Sequence, residues 1–341
     1  MQIDRRLISH FDWTLFLLAL AFVLIGVTTI YSANYDVIQR HAGALPGRQL
    51  MWLGLGLIAL FAALTFDYHY IDRIAYPFYG AMFLLLVLVL FLGHSGGGSQ
   101  RWINLGFFRL QPSEPAKIAI VLVMAKFFQD DEPPRGYSLR DLWAPFALAA
   151  PLVLLTLVQP DLGPALVLGI VFMSMVLMGG RRTRSFLYLV GAGLAFLPVA
   201  WHFLKPYQRN RLLTFLDPDR DPLGAGYHVI QSQIAIGSGR FFGKGYLHGT
   251  QNRLDFLPAQ HTDFIFAVFS EEWGFVGCLI LLLLYFALLV YCLGLVQRAK
   301  DRFGALLVFG MTAIFFWHVT INVAMVVGLM PVVGVPLPMV S

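Results

Sequence analysis

Long stretches without a charged residue constrain this chain more than any other feature of its sequence. Residues 83–90 read FLLLVLVL, and 58% of all residues are hydrophobic whereas 13% are charged. Soluble domains carry roughly 25% charged residues and cannot bury so much apolar surface. The strands of a membrane barrel would alternate polar and apolar positions, and these runs do not. The sequence therefore predicts an all-α polytopic membrane protein.

Nine segments of the chain are candidates for membrane helices, each of which needs about 20 apolar residues. We predict a single transmembrane domain over residues 1–341, with a large extracytoplasmic loop at residues 203–262 before the eighth helix. The first segment is too long for the core of a signal peptide, so we expect it to be retained. The predicted segments cover approximately residues 13–31, 48–66, 74–93, 114–128, 143–158, 162–179, 185–203, 264–296 and 304–329.

The distribution of Lys and Arg predicts the orientation of these helices, because short cytoplasmic loops are enriched in both residues. A cytoplasmic N-terminus leaves Arg40, Arg48, Arg101 and Arg109 in the short outer loops and most other short-loop cations inside. The long loop carries seven further basic residues, which a polyanionic partner or membrane lipid head groups would explain. The net charge of +5 follows from this topology and gives little reason to expect a nucleic-acid partner.

Two irregular regions carry further information. The sequence QPDLGP at residues 159–164 interrupts an apolar segment, and such backbone is tolerated only where it is buried in protein or lines a wet cavity. We therefore predict a tight outer turn or a cavity wall there. Residues 226–236 have a helical apolar stripe and predict a short interfacial helix. The glycines that follow lack the strand-and-helix context of a nucleotide-binding loop.

Asp263 and Thr262 directly precede the apolar segment 264–296. Thr and Asp are favoured N-cap residues, so either side chain could begin the helix that follows. Alternatively, the Asp263 carboxylate is a general base that faces a lipid-borne substrate. One carboxylate can serve both purposes, so the sequence leaves both interpretations open.

Other ionisable residues lie inside or beside apolar segments, where charge is costly and often functional. Glu114 and Lys117, at i and i+3, form either a structural ion pair or a site in which Lys117 meets an anionic substrate group. Asp161, in the interrupted region, is either a turn-forming residue or part of such a site.

Two further pairs, Glu271 with Glu272 and His318 with Asn322, are most simply explained by hydrogen bonds between helices. The predicted outer face also carries arginines, whose planar guanidinium groups suit phosphate or lipid head groups. These arginines are Arg48, Arg101, Arg209 and Arg211.

Four motifs resemble those of one bacterial family. They are GGGSQRWINLG at residues 96–106, QPSE at 111–114, QPDLG at 159–163 and HTDFIF at 261–266. They occur in family order over nearly the whole chain, which is identified as a member of the SEDS family of shape, elongation, division and sporulation proteins. The sequences at residues 211–218 and 243–251 resemble the elongation members more than the division members.

The resemblance implies a peptidoglycan glycosyltransferase with about ten transmembrane helices, of which nine are readable here and the last is missing after Ser341. Such an enzyme polymerises lipid II into glycan strands at the outer face of the bacterial cytoplasmic membrane, for cell elongation and rod shape. The implied partners are a class B penicillin-binding protein, which is a transpeptidase, and other membrane proteins of the rod complex.

The resemblance also assigns residues to the site. Asp263 corresponds to the family's essential aspartate and is the predicted catalytic residue. Cations beside it would stabilise a leaving pyrophosphate, and a divalent cation bridged by Asp161 or Asp263 is a further alternative. The predicted substrate-binding residues are Lys117, Glu114, Asp161, Arg48, Arg101, Arg209 and Thr262.

Two other functions are open at this point. A lipid II flippase would also contain intramembrane charges and interrupted helices. A non-catalytic scaffold of the elongation complex would tolerate substitution of Asp263 and Lys117. An assay for glycan chains, compared with one for movement of unreacted lipid, separates these possibilities.

Overall fold

The helices of the structure account for all nine predicted apolar segments. The computed structural model describes residues 11–35, 45–92, 94–96, 99–104, 109–130, 137–159, 161–180, 183–217, 225–250 and 262–341. The helices that correspond to the nine segments are α1 (Trp13–Ala33), α2 (Leu45–Thr65), α3 (Tyr68–Leu92), α4 (Ser113–Asp130), α5 (Trp143–Val158), α6 (Leu162–Gly180), α7 (Thr183–Phe203), α10 (Ile265–Arg298) and α11 (Arg302–Val327).

By length and composition, five helices of the described part can cross a membrane, namely α1, α3, α6, α10 and α11. The apolar stretches Met51–Thr65 and Trp143–Val158 are shorter. The long loop contains two more helices, α8 (Pro206–Leu216) and α9 (Ala225–Ser238), so the helix predicted at residues 226–236 is confirmed. Its buried face contacts α10 and α11, and Ser232 donates to the Val326 carbonyl at 2.8 Å.

A small antiparallel sheet was not predicted. Between α3 and α4 the chain forms strands β1 (His94–Gly96), β2 (Ser99–Asn104) and β3 (Arg109–Leu110), in the order β1-β2-β3. Strand β2 pairs with both neighbours, and Ile103 lies opposite Leu110. The sheet therefore brings residues 99–104 of the GGGSQRWINLG motif directly to the start of α4.

The centre of the helical core is formed by α4, α6 and α11, which contact one another. Gly310 of α11 permits this close approach, because a Cβ atom there would overlap the side chains of Val121 and Met175. Small residues at such crossings are typical of membrane helices, whose association depends on close packing. Along α4, the residues from Ala119 to Ala125 are all buried, so this helix is surrounded by protein.

Helix α10 is kinked at Gly274, which has φ +63° and a non-helical backbone. Its 34 residues would span about 51 Å as a straight helix, more than the roughly 30 Å of a hydrocarbon core. The kink separates residues 265–273 from the long remainder. Residues 265–272 are all buried, so this first part is enclosed by protein.

After α11 the chain turns back into the helical bundle. The helix ends at Gly328, which is left-handed with φ +86°, and residues 331–337 continue without regular structure. Val335 and Leu337 are buried, and the Tyr285 hydroxyl donates to the Pro338 carbonyl at 2.6 Å. We call residues 331–337 the return segment, because they run antiparallel to the last turns of α11.

Candidate functional site

The first component of the site is centred on Asp161, in the turn between α5 and α6. Arg101 of β2 donates from Nη1 to Asp161 Oδ1 at 3.0 Å. Gln111 donates from Nε2 to Asp161 Oδ2 at 2.6 Å. The Asp161 side chain is 3% exposed and that of Arg101 is 33% exposed. The turn predicted at residues 159–164 is thus confirmed, and its carboxylate is bound to the sheet and to the residues just before α4.

The second component lies at the start of α4. Lys117 Nζ is 2.8 Å from both carboxylate oxygens of Glu114, which confirms the predicted i,i+3 ion pair. Lys117 is also 2.9 Å from Nε2 of His318 on α11. The Lys117 side chain is 4% exposed and the Glu114 side chain 46% exposed. The ammonium is therefore buried, whereas its counter-charge is half-exposed.

The third component is Asp263, which is half-buried in the turn before α10. Asn322 of α11 donates from Nδ2 to the backbone carbonyl of Asp263 at 2.8 Å. The same Nδ2 donates to the carbonyl of Val335 in the return segment at 2.8 Å. Gly334 has φ +72°, and a Cβ atom there would lie 3.5 Å from Asp263 Oδ2. The backbone of the return segment is thus adjacent to the Asp263 carboxylate.

Helix α11 connects the second and third components. His318 and Asn322 are four residues apart, so they lie on the same face of α11, one turn apart. His318 contacts Lys117, and Asn322 holds the backbone of Asp263. The predicted contact between helices is therefore present for His318, whereas Asn322 bonds to the backbone of a turn and of the return segment instead of to a helix. Together they join Lys117 and Asp263 to one turn of α11.

The structure corrects the position of the helix cap. The N-cap of α10 is Phe264, with no side-chain cap hydrogen bond, rather than Thr262 or Asp263. The amides of Ala267 and Val268 both bond to the Phe264 carbonyl, whereas the Asp263 carbonyl is bound by Asn322. The helix therefore begins one residue later than the capping interpretation requires. Thr262, one residue before Asp263, is exposed.

The predicted outer arginines do not all reach these components. The Arg209 guanidinium donates to the carbonyls of Trp201 and His202, at 3.1 and 2.8 Å, and so caps the end of α7. Arg211 donates to the Val332 carbonyl of the return segment at 3.2 Å. Arg48 belongs to α2, but its side chain lies outside the described part of the chain. The substrate-binding roles of Arg48 and Arg209 stay predictions.

Two residues of the site, Gln111 and Gly334, were not predicted individually from the sequence. Gln111 donates a hydrogen bond to Asp161 at 2.6 Å, and Gly334 supplies a positive φ. A signal was available for Gln111, because it begins the QPSE motif. No local pattern marks Gly334 as the neighbour of a residue 71 positions earlier.

A separate polar cluster lies beside Gly239 and Gly243. The buried Glu271 carboxylate accepts from Lys244 Nζ at 2.6 Å and from the Thr250 amide at 2.9 Å. Glu272 accepts from Ser32 of α1. A Cβ atom on Gly239 or Gly243 would overlap the carbonyls of Ser270 and Glu272, respectively. These glycines therefore permit close backbone packing at the kink of α10.

The described part of the chain contains no group of three or more His, Cys, Asp or Glu residues that could hold a metal ion. Asp161 is bound by Arg101 and Gln111, so its two oxygens already have donors. The divalent cation bridged by Asp161 or Asp263 stays a prediction.

The charges of the site follow a simple pattern. Asp161 and Glu114 each have a cation within 3.0 Å, so both acids are neutralised by partners. Asp263 is presented from a turn, and its backbone is fixed by Asn322.

A contact between α1 and α10 gives the position of the site in the bundle. Asp12, at the start of α1, accepts from Tyr291 near the end of α10 at 2.7 Å. The start of α1 and Asp263 are consequently at opposite ends of α10.

These features define a polytopic helical membrane protein with a polar site at the end of the bundle opposite the start of α1. The model of the FtsW/RodA/SpoVE family, described as cell cycle proteins, matches residues 12–341. The chain belongs to this family, as its motifs predicted.

Similar proteins are known in several bacteria. Peptidoglycan glycosyltransferase MrdB of Escherichia coli K12 is 41% identical over 333 residues, which cover 97% of this chain and 88% of that protein. Peptidoglycan glycosyltransferase RodA of Treponema pallidum is 32% identical, with 98% and 94% covered.

Two solved structures have the same fold. One, described as the structural coordination of polymerization and crosslinking by a peptidoglycan synthase complex, has a TM-score of 0.83 and 36% identity, and covers 97% of this chain and 92% of its own. The other is the rod shape determining protein RodA of Thermus thermophilus, with a TM-score of 0.71 and 30% identity, which covers 97% and 90%.

Proposed function

We propose that this protein is a peptidoglycan glycosyltransferase that polymerises lipid II into glycan strands during cell elongation. The observation that carries the proposal is the placement of Asp263, on a turn fixed by Asn322 and beside the return segment. Relatives that share 41% and 32% identity over nearly the whole chain bear the name of this activity.

In the proposed reaction, Asp263 acts as the general base. An acceptor hydroxyl attacks the anomeric carbon of the donor sugar and gives its proton to the Asp263 carboxylate. The bond from the anomeric carbon to the phosphate oxygen breaks, and polyprenyl pyrophosphate leaves with the electron pair. A positioned base of this kind contributes roughly 10²–10⁴-fold to a rate.

The proposed role of Arg101 and Lys117 is to stabilise the charge that develops on the leaving pyrophosphate. Arg101 is 33% exposed and Lys117 has a half-exposed counter-ion, so an anionic group has access to both ion pairs. Preorganised cations act strongly where water is excluded, since they need no reorganisation during the reaction. We assign Glu114 and Asp161 to holding these cations in place.

The membrane orientation is part of the same proposal. A cytoplasmic N-terminus places the start of α1 inside, and Asp263 lies at the other end of the bundle, as the contact between Asp12 and Tyr291 indicates. We therefore place the site at the outer face of the bacterial cytoplasmic membrane. A donor that stays attached to its lipid suits an enzyme enclosed by that membrane.

We also propose a class B penicillin-binding protein as a partner, together with other membrane proteins of the rod complex. One structure with the same fold is described as coordinating polymerization and crosslinking in a peptidoglycan synthase complex. Co-purification with a class B transpeptidase, and a change in polymerisation rate when it is added, test this partner. If the two proteins do not co-purify and the polymerisation rate does not change, this partner is ruled out.

The activity is tested with the purified full chain and lipid II. Asp263→Asn is expected to lower glycan polymerisation by roughly 10²–10⁴-fold while the protein remains folded. Asp217→Asn, which changes an exposed acid at the end of α8, is the matched control and should polymerise normally. Transbilayer movement of unreacted lipid without glycan chains would support a flippase. Wild-type polymerisation by Asp263→Asn would contradict the proposed base.

A further inference from the structure

Asn322 is completely buried, at 0% exposure, yet it touches none of the charged side chains of the site in the hydrogen bonds that the structure records. Its amide group donates to two backbone carbonyls, those of Asp263 and Val335, each at 2.8 Å. Asn has two N–H donors on one nitrogen, which suits a bridge between two acceptors. Asn322 therefore joins the turn before α10 to the return segment.

The oxygen atom of the same amide differs from the nitrogen in this respect. Asn322 Oδ1 is buried and has no hydrogen-bond partner among the residues that the structure describes. Leaving a buried acceptor without a partner is unfavourable, and an apolar residue of similar size would avoid that cost. The two donor contacts are thus the feature that distinguishes Asn from a leucine at this position.

One turn earlier, His318 makes a comparable contact. Lys117 Nζ is 2.9 Å from its Nε2, and a lysine ammonium can only donate, so Nε2 is the acceptor. His318 therefore joins α4 to α11, as Asn322 joins the turn before α10 to it.

The distance between the base and the buried cation is consequently set by one turn of α11. Asp263 is attached to this turn through its own backbone carbonyl. Because the carbonyl and the carboxylate belong to the same residue, fixing the carbonyl limits the directions that the carboxylate can take. Lys117 is attached through His318. A shift of about 1 Å in a catalytic group can cost about 100-fold in rate.

We propose that Asn322 is a positioning residue for Asp263, holding the carboxylate in register with Lys117. This inference rests on the proposed glycosyltransferase activity. It assigns to Asn322 an effect on the reaction rate that operates through Asp263, rather than a contribution to helix packing alone.

The principal variant is Asn322→Leu, which removes both donors and keeps the approximate volume. We expect kcat for lipid II polymerisation to fall about 10–100-fold, with a much smaller change in KM. The matched control is Thr312→Val on the same helix, because the buried Thr312 hydroxyl donates to Val308 of its own helix at 2.7 Å. This control should leave kcat near the wild-type value.

A double-variant cycle separates positioning from packing. If Asn322 acts through Asp263, Asn322→Leu should have almost no further effect in an Asp263→Asn background, because coupled residues are not additive. If its role is only structural, the same fold-loss should appear in both backgrounds and should follow the fraction of folded protein. Equal losses in the two backgrounds would overturn the inference.

A second substitution keeps the test decisive if Asn322→Leu does not fold. Asn322→Ser retains one hydroxyl donor, which can serve only one of the two carbonyls, and should give an intermediate loss of kcat. A wild-type kcat for folded Asn322→Ser would also overturn the inference. If Asp263→Asn itself polymerises normally, the proposed function is contradicted. This outcome differs from the ones that overturn only the inference about Asn322.

Discussion

Arg101 donates to Asp161 at 3.0 Å across 60 residues of sequence, from a β-strand to the turn between two helices. The Asp161 side chain is 3% exposed, so this pair fixes the small sheet against the turn. Gln111 completes the arrangement by binding the other carboxylate oxygen at 2.6 Å. The sheet, the turn and the start of α4 are thus held together by one carboxylate.

Removal of Arg101 should leave a buried charge without its counter-ion. Arg101→Ala is expected to lower the free energy of unfolding by about 3 kcal/mol, the lower end of the range for breaking a buried pair, since Gln111 remains. Thermal unfolding in detergent measures this loss. Adding Asp161→Asn to Arg101→Ala should restore part of the stability, and a double variant less stable than Arg101→Ala would contradict the explanation.

The two members of the Glu114–Lys117 pair should respond unequally. Glu114→Gln leaves a lysine that is 4% exposed without its counter-charge, whereas Lys117→Met leaves a carboxylate that is 46% exposed and can be hydrated. We expect Glu114→Gln to lower the unfolding midpoint more than Lys117→Met. Both variants should lose polymerisation. The same measurement on each variant in one detergent tests the order, and the reverse order would disprove it.

Glycines near the kink of α10 should differ sharply in their tolerance of alanine. Gly243→Ala places a Cβ atom against the Glu272 carbonyl and requires φ +79° of an alanine, whereas the space around Gly237 is empty within 4 Å. Gly243→Ala should reduce stability and the yield of folded protein, by more than about 1 kcal/mol. Gly237→Ala is the matched control and should be neutral. Similar unfolding midpoints for the two variants would show that the close packing is unimportant.

The start of α11 should weaken in acid. Asp301 is the N-cap, accepts from the Gly304 amide at 2.6 Å and accepts from the Tyr68 hydroxyl. The Tyr68 hydrogen bond, with that of Gly304, lowers the pKa of Asp301. The folded state thus favours the carboxylate, so the stabilisation is present above the ordinary Asp pKa of about 4 and is lost as the pH falls through the lowered value.

Asp301→Asn provides the measurement for this effect. The unfolding midpoint is measured at about pH 6 and about pH 3, an interval that contains the usual titration range of Asp. Its decrease over this interval should be smaller for Asp301→Asn than for the wild type. Asp217→Asn, which changes an exposed acid at the end of α8, is the control for general acid effects. An identical acid response in wild type and Asp301→Asn would refute the assignment.

The parts of the fold that the sequence predicts are those determined by neighbouring residues. Apolar runs predict helices because backbone groups in a membrane must bond within their own segment. The Glu114–Lys117 pair follows from three-residue spacing on one helix. The contact of Arg209 with the end of α7 is not predicted from the sequence, because the need of a helix end for donors is invisible until the end of that helix is known.

The remaining features depend on contacts between distant residues. Asn322 reaches the Asp263 carbonyl across 59 positions, and this contact uses the acceptor that a helix beginning at Asp263 would have needed. The return segment has no periodic pattern, since its backbone is bound by side chains from other elements. Such contacts require the packed structure and leave no local trace in the sequence.

The return segment has a consequence for which changes the chain can accept. The carbonyls of Val332 and Val335 are bound by Arg211 and Asn322, respectively. Every peptide group carries such a carbonyl, so these two contacts constrain spacing rather than side-chain identity. Exchanging one apolar residue for another preserves them, whereas insertion or deletion of a single residue displaces them together. Around Asp263, chain length is therefore a stricter requirement than composition.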